Sequence, residues 1–126
     1  MEVKAFALIM LLSASAFCQS RQCKSNPKVI GACYVIHGRA TFGDGTPALR
    51  IWPVGTNRML GVTAGPIADD ADDSIAPEEM LKFNRDVEAI FGDFEVCPFT
   101  PERKGHMQMV CVQSAKKLII KRLPSK

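Results

Sequence analysis

CYVIHGRATFGDGTPALRIWPV, residues 33–54, decides the fold class. Residues 33–40 read as a strand, with Tyr34, Val35 and Ile36 supplying aromatic and β-branched side chains. Asp44-Gly45 is a hairpin signal, because tight hairpin turns need positive φ. Residues 48–54 form the returning strand, with Leu49 and Ile51 on one face and Arg50 and Trp52 on the other. Pro53 has no N–H, so this strand ends, bulges or lies at an edge there.

Downstream, Gly55-Thr56-Asn57 turns the chain and residues 58–63 form a third strand. Residues 63–74 are loop-like and acidic. A helix then opens at Pro77-Glu78-Glu79, where proline suits the first turn and the acids oppose the dipole. Met80, Phe83, Val87 and Ile90 recur at helical spacing, which predicts one apolar stripe packed on the sheet to about residue 90. Alternation returns over residues 94–99. A polar turn at 100–105 separates it from strands at 107–113 and 116–123.

Upstream, residues 1–20 have the pattern of a secretory signal peptide. Lys4 precedes the apolar run at residues 5–12, and the small residues Ser13-Ala14-Ser15-Ala16 follow it. The run is short of the roughly 20 residues that span a bilayer, so no transmembrane segment is expected. Cleavage after Ala16 and after Ser20 both fit. The second leaves four of the five cysteines, an even set, and is preferred. Cys18 would carry the lipid of a bacterial lipoprotein only under different processing, and the bulky Phe17 before it argues against that anchor. Residues 21–126 then form a single domain, exported to a periplasmic or extracellular space.

Cys23, Cys33, Cys97 and Cys111 allow three pairings. The turn at 100–105 sets Cys97 nearly opposite Cys111 on paired strands, which favours a Cys97–Cys111 bridge and leaves Cys23 with Cys33. No C-x-x-C occurs, so the bridges read as structural rather than redox or metal-binding.

The remaining chemistry is sparse. Asp69, Asp70, Asp72 and Asp73 offer oxygen ligands for Ca²⁺, but the glycine and closing glutamate of an EF-hand loop are missing, and a solvated acidic loop is the simpler reading. His37 and His106 are two histidines where zinc wants three or four convergent ligands, and recruiting the cysteines to them would cost the disulfides. No G-x-S-x-G and no phosphate-binding glycine loop is present, so no catalytic residue and no cofactor is assigned. The net charge of +3 is mild and gives no reason to invoke nucleic acid. The basic cluster Lys116, Lys117, Lys121, Arg122 and Lys126 reads as the solvated side of the last strand. Arg50 and Trp52 form a contact patch if their face is uncovered; otherwise Trp52 packs under the helix.

His37-Gly38-Arg39-Ala40 followed by residues 44–52 (DGTPALRIW) resembles the opening of a carboxypeptidase-regulatory-like domain. Gly92-Asp93-Phe94-Glu95-Val96 is similar to that family's later glycine-x-Phe strand. Gly105-His106-Met107-Gln108-Met109-Val110 stands where the family has glycine-x-Tyr-x-Leu, with Met107 in place of the tyrosine. The usual Thr-Asp lead-in before Gly92 is absent, and residues 63–91 replace a short connection. Residues 92–99 (GDFEVCPF) are also similar to a stretch in uncharacterised exported bacterial proteins. The resemblance implies a transthyretin-like (prealbumin-like) β-sandwich acting as a non-catalytic scaffold or binding module.

The expectation is therefore a mainly β domain, a small antiparallel sandwich of transthyretin-like or Ig-like type. It carries an acidic loop and one helix inserted at residues 63–91. The expected function is non-enzymatic contact with a protein or envelope component. The alternative is a small secreted Ca- or Zn-dependent protein or enzyme using the acidic loop or His37.

Overall fold

The computed structural model describes residues 22–67, 74–83 and 88–124. Residues 1–20, read from sequence as a signal peptide, with Cys18, the acidic residues Asp69, Asp70, Asp72 and Asp73, Val87 and Lys126, lie outside the described residues. The chain is mainly β, as its alternating segments require. The strands are β1 (Tyr34–Phe42), β2 (Leu49–Pro53), β3 (Leu60–Val62), β4 (Glu88–Pro98) and β5 (Gln108–Arg122); the helix α1 (Glu78–Leu81) lies between β3 and β4.

The strands close into one barrel in the order β1-β2-β3-β5-β4, rather than packing as two sheets. Four of the five pairings are antiparallel; β3 and β5 run parallel, with Leu60 opposite Gln108 and Val62 opposite Val110. This connectivity is that of a five-stranded Greek-key barrel of the OB type. A sandwich was expected because short strands with frequent turns suit either architecture. What decides for the barrel is the pairing of β1 with β4 and of β3 with β5, two contacts between segments far apart in sequence.

The first hairpin forms, with Phe42 opposite Leu49 and Arg39 opposite Trp52. Its turn is not the tight positive-φ turn expected at Asp44-Gly45: residues 43–48 form a longer loop in which neither residue takes positive φ and the Thr46–Pro47 bond is cis. Leu49 and Ile51 point into the barrel, where Ala40, Leu60, Val62, Ile90, Phe94, Val96, Val110 and Val112 fill the interior. Pro53 ends β2. At Gly38 the walls approach closely: a Cβ there would lie 2.6 Å from Ile51 Cγ2 and 3.1 Å from the Trp52 carbonyl oxygen. Glycine in a strand commonly marks such a close backbone approach.

The helix is much shorter than its stripe predicts. It spans four residues and is stopped at Lys82. Ile90 is in β4, opposite Ala40 on one side and Ile120 on the other. Strand pairing has overridden the helical period there. The stripe was nevertheless a core stripe: Met80, Phe83 and Ile90 all join the barrel core, the first two as a cover supplied by the β3–β4 connection. The two final strands read from sequence are one strand, β5, which bulges near Lys117, a residue at φ 56°.

Candidate functional site: the outer faces of the barrel

In β4, the residues at even positions from Ile90 to Pro98 face the interior, so Phe91, Asp93, Glu95 and Cys97 face outward. What covers these outward positions determines which surface is free to act.

At one end of β4 and β5 the outer face is sealed. Cys97, Phe99 and Cys111 form a second apolar cluster with Cys23 and Ile75, and Val29 and Cys33 pack against it. The entry segment is tied there by two bridges, Cys23–Cys111 and Cys33–Cys97. The expected pairing of Cys97 with Cys111 and of Cys23 with Cys33 is thus corrected. The expected register is present, since Cys97 does stand opposite Cys111. However, Cys33 continues the β1–β4 register one position beyond Tyr34–Val96, so Cys97 has a cysteine on each side. Cys111 is held in the ladder, where facing Cβ atoms stand roughly 4.5–5.5 Å apart, wider than a bridge prefers. Cys33 lies just outside the ladder, and its Cα comes within 4.1 Å of that of Cys97. Two such bridges belong to an oxidising environment.

A second covered face lies over β2, β3 and β5. A Cβ on Gly61 would fall 2.6 Å from Pro47 Cγ, 2.8 Å from Met107 Sδ and 2.9 Å from Met109 Sδ. Barrels of this type commonly bind ligands over strands 2 and 3. In this chain its own proline and two methionines occupy that position.

The outer face of β2, β1, β4 and β5 is different. One cross-strand row runs Trp52–Arg39–Phe91–Ile119. The Arg39 guanidinium lies over the Trp52 ring, 5.1 Å from its centroid, and Lys121 Nζ lies 5.2 Å from the centroid of Phe91. Trp52 is fixed in turn, because its Nε1 donates to the Thr56 carbonyl at 2.8 Å. No carboxylate among the described residues pairs with Arg39 or Lys121. Arg39 Nε is buried without a hydrogen-bond partner. Ile119 is 57% exposed and Val35, further along the face, 66%.

The structure places the two residues of the Arg50–Trp52 patch expected from sequence differently. The two residues do share the outer face, and Trp52 is half-buried beside Arg39, not packed under the helix. Arg50 turns toward the hairpin loop, where its Nε donates to the Pro47 carbonyl at 2.9 Å. The residues on this face that the sequence did not single out are Arg39, which stacks on Trp52, and the pair Phe91 and Lys121 beyond it. They come from three other strands, so only the barrel register brings them together.

The histidines lie apart in the fold. His37 is exposed on β1 with its Nδ1 3.0 Å from Asp93 Oδ1, and Lys117 Nζ stands 3.9 Å from the same carboxylate. His106 is in the β4–β5 connection, beside a groove of ≈ 580 Å³ between residues 57–59 and 102–107. The cation at that groove, Arg58, is already occupied: it donates to Gln108 Oε1 at 2.9 Å and pairs with Glu102 at 3.4 Å. Among the described residues, the one convergent group of His, Cys, Asp or Glu is Cys23, Cys97 and Cys111, all held in bridges. No described helix is long and apolar enough to cross a membrane.

Compared with known proteins, the chain matches no family model, no curated protein and no solved structure.

Proposed function

We propose that the chain is an exported, non-enzymatic binding module that contacts a protein or envelope component through the outer face of β2, β1, β4 and β5. The observation that carries this reading is Arg39. Its guanidinium is stacked on a ring that is itself hydrogen-bonded in place, and it has no anionic partner among the described residues. A rigidly held, unneutralised arginine beside aromatic residues has the composition of a binding hot spot. The other faces of the barrel support the choice, because one is sealed by the bridges and another by Pro47, Met107 and Met109. Two disulfides favour an extracytoplasmic address, and the signal-like residues 1–20 would supply the route.

The test is capture from the native envelope and culture fractions, with wild-type mature chain beside Arg39→Gln and Trp52→Leu. The reading predicts a partner retained by the wild type and lost by both variants. A partner held equally by all three would refute this face as the contact surface. Sequencing of the mature N-terminus tests export: a chain still starting at Met1 in its native location contradicts it.

A further inference from the structure

A binding module on this face still needs a partner of definite chemistry. Resting on that reading, we infer that the row Trp52–Arg39–Phe91–Ile119, with Lys121 above Phe91, is a docking track for a linear acidic polysaccharide, one bearing carboxylate or sulfate groups on its sugar rings.

Three observations point to that class. First, the aromatic faces are already used. Arg39 covers Trp52 and Lys121 covers Phe91, so what the row presents to a ligand is two cations held over rings. Recognition of single-stranded nucleic acid relies on open aromatic platforms for base stacking, and these are not open. A protein partner would anchor an apolar side chain in a desolvated pocket at the centre of its interface. Three grooves of the described residues lie elsewhere, against residues 22–25 and 75–77, against residues 57–59 and 102–107, and between Pro66 and residues 100–109.

Second, two cations sit close together on one face. Arg39 on β1 and Lys121 on β5 share the outer face with β4 between them, and each is held over a ring. With about 4.8 Å between strands, the track from β2 to β5 is about 14 Å long. A stiff polyanion laid across the strands meets these cations in succession. Third, the track is one-sided in charge. Arg39 and Lys121 have no carboxylate partner among the described residues, while Asp93, one row away, is taken by His37 and Lys117. Exposed Ile119 supplies an apolar surface beside Lys121 for the C–H face of a sugar ring.

This track is not the strand 2–3 face that barrels of this type commonly use, since Gly61 lies beneath Pro47, Met107 and Met109. The chain's own packing closes the usual face and leaves the cationic one to take the ligand.

The experiment uses the mature disulfide-bonded chain and four probes: polygalacturonate, neutral dextran, polyglutamate, and vesicles of phosphatidylglycerol. The expected result is saturable, salt-sensitive binding to polygalacturonate and none to dextran. Polyglutamate should bind more weakly, because a flexible chain must be ordered on the track. Arg39→Gln and Lys121→Gln should each weaken polygalacturonate binding by about fivefold to tenfold. The pair Arg103→Gln and Lys104→Gln, in the end groove, should leave it unchanged. Near-ultraviolet circular dichroism of each variant shows whether the barrel is intact.

Equal binding of dextran overturns the inference. So does binding of vesicles or polyglutamate in preference to polygalacturonate, or binding indifferent to Arg39 and Lys121 in folded variants. Arg39-dependent capture of a native partner with no binding of polygalacturonate sinks the polysaccharide and leaves the binding-module reading standing. Loss of Arg39 dependence in both assays sinks both.

Discussion

β4 and β5 are paired along most of their length, yet the two ends of their outer face have opposite characters. Near Cys97 and Cys111 the outward side chains are apolar and buried beneath the entry segment, which two bridges hold down. Near Phe91, by contrast, Ile119 and Lys121 are exposed, Phe91 is half-buried, and its ring serves as a platform for the Lys121 charge. One ladder supports both because side chains alternate between its two faces: Ile90, Phe94 and Val96 build the core from β4, while the outward set differs from one end to the other. The covered end maintains the fold; the open end is available for contact.

The largest effect should come from unsealing the covered end. Cys33→Ser with Cys97→Ser should cost about 2–4 kcal/mol in denaturant unfolding. Contact at the open end should survive wherever the variant remains folded. A second probe of the same end is the variant Cys23→Ser with Cys33→Ser, which leaves Cys97 and Cys111 facing each other. Peptide mapping should find that pair slow to bridge, because the ladder sets their spacing.

Next in size is the other covered face. Gly61→Val must displace Pro47, Met107 or Met109 and should cost about 1–3 kcal/mol in thermal or chemical unfolding. An unchanged stability would show that these side chains do not press on Gly61 and that the face is open.

The open end should respond the other way round. Trp52→Leu removes the ring beneath Arg39 and should cost about 1 kcal/mol or less in stability, with loss of partner contact. Arg39→Gln should change stability by about 0.5 kcal/mol or less and should still lose the contact. Binding that follows stability across all these variants would erase the distinction between the two ends.

The sequence made the local parts of this picture legible. The alternation on each side of residues 43–48 specifies the first hairpin, with Leu49 and Ile51 inward and Trp52 outward, although the turn between them is not the tight Asp-Gly type. The turn at 100–105 specified Cys97 opposite Cys111. What stayed hidden depended on contacts between distant segments. β1–β4 pairing gives Cys97 a second cysteine neighbour and changes the bridges, and β3–β5 pairing closes the barrel. Ile90 sits at helical spacing from Met80, Phe83 and Val87, and only its pairing with Ala40 and Ile120 reveals a strand. The site was hidden for the same reason. Arg39 stands thirteen positions before Trp52 and Phe91 far beyond it, and no local spacing connects them.

The most direct measurement of the central claim is an amide and indole ¹H–¹⁵N titration of labelled chain 21–126 with the partner recovered by Arg39-dependent capture. The account predicts that the largest shifts fall on Trp52 Nε1 and on the amides around Arg39, Phe91 and Ile119, while Gly61, Met109 and Cys111 stay in place. Shifts centred on Gly61 and Met109, or on the groove beside Arg58 and His106, would contradict it.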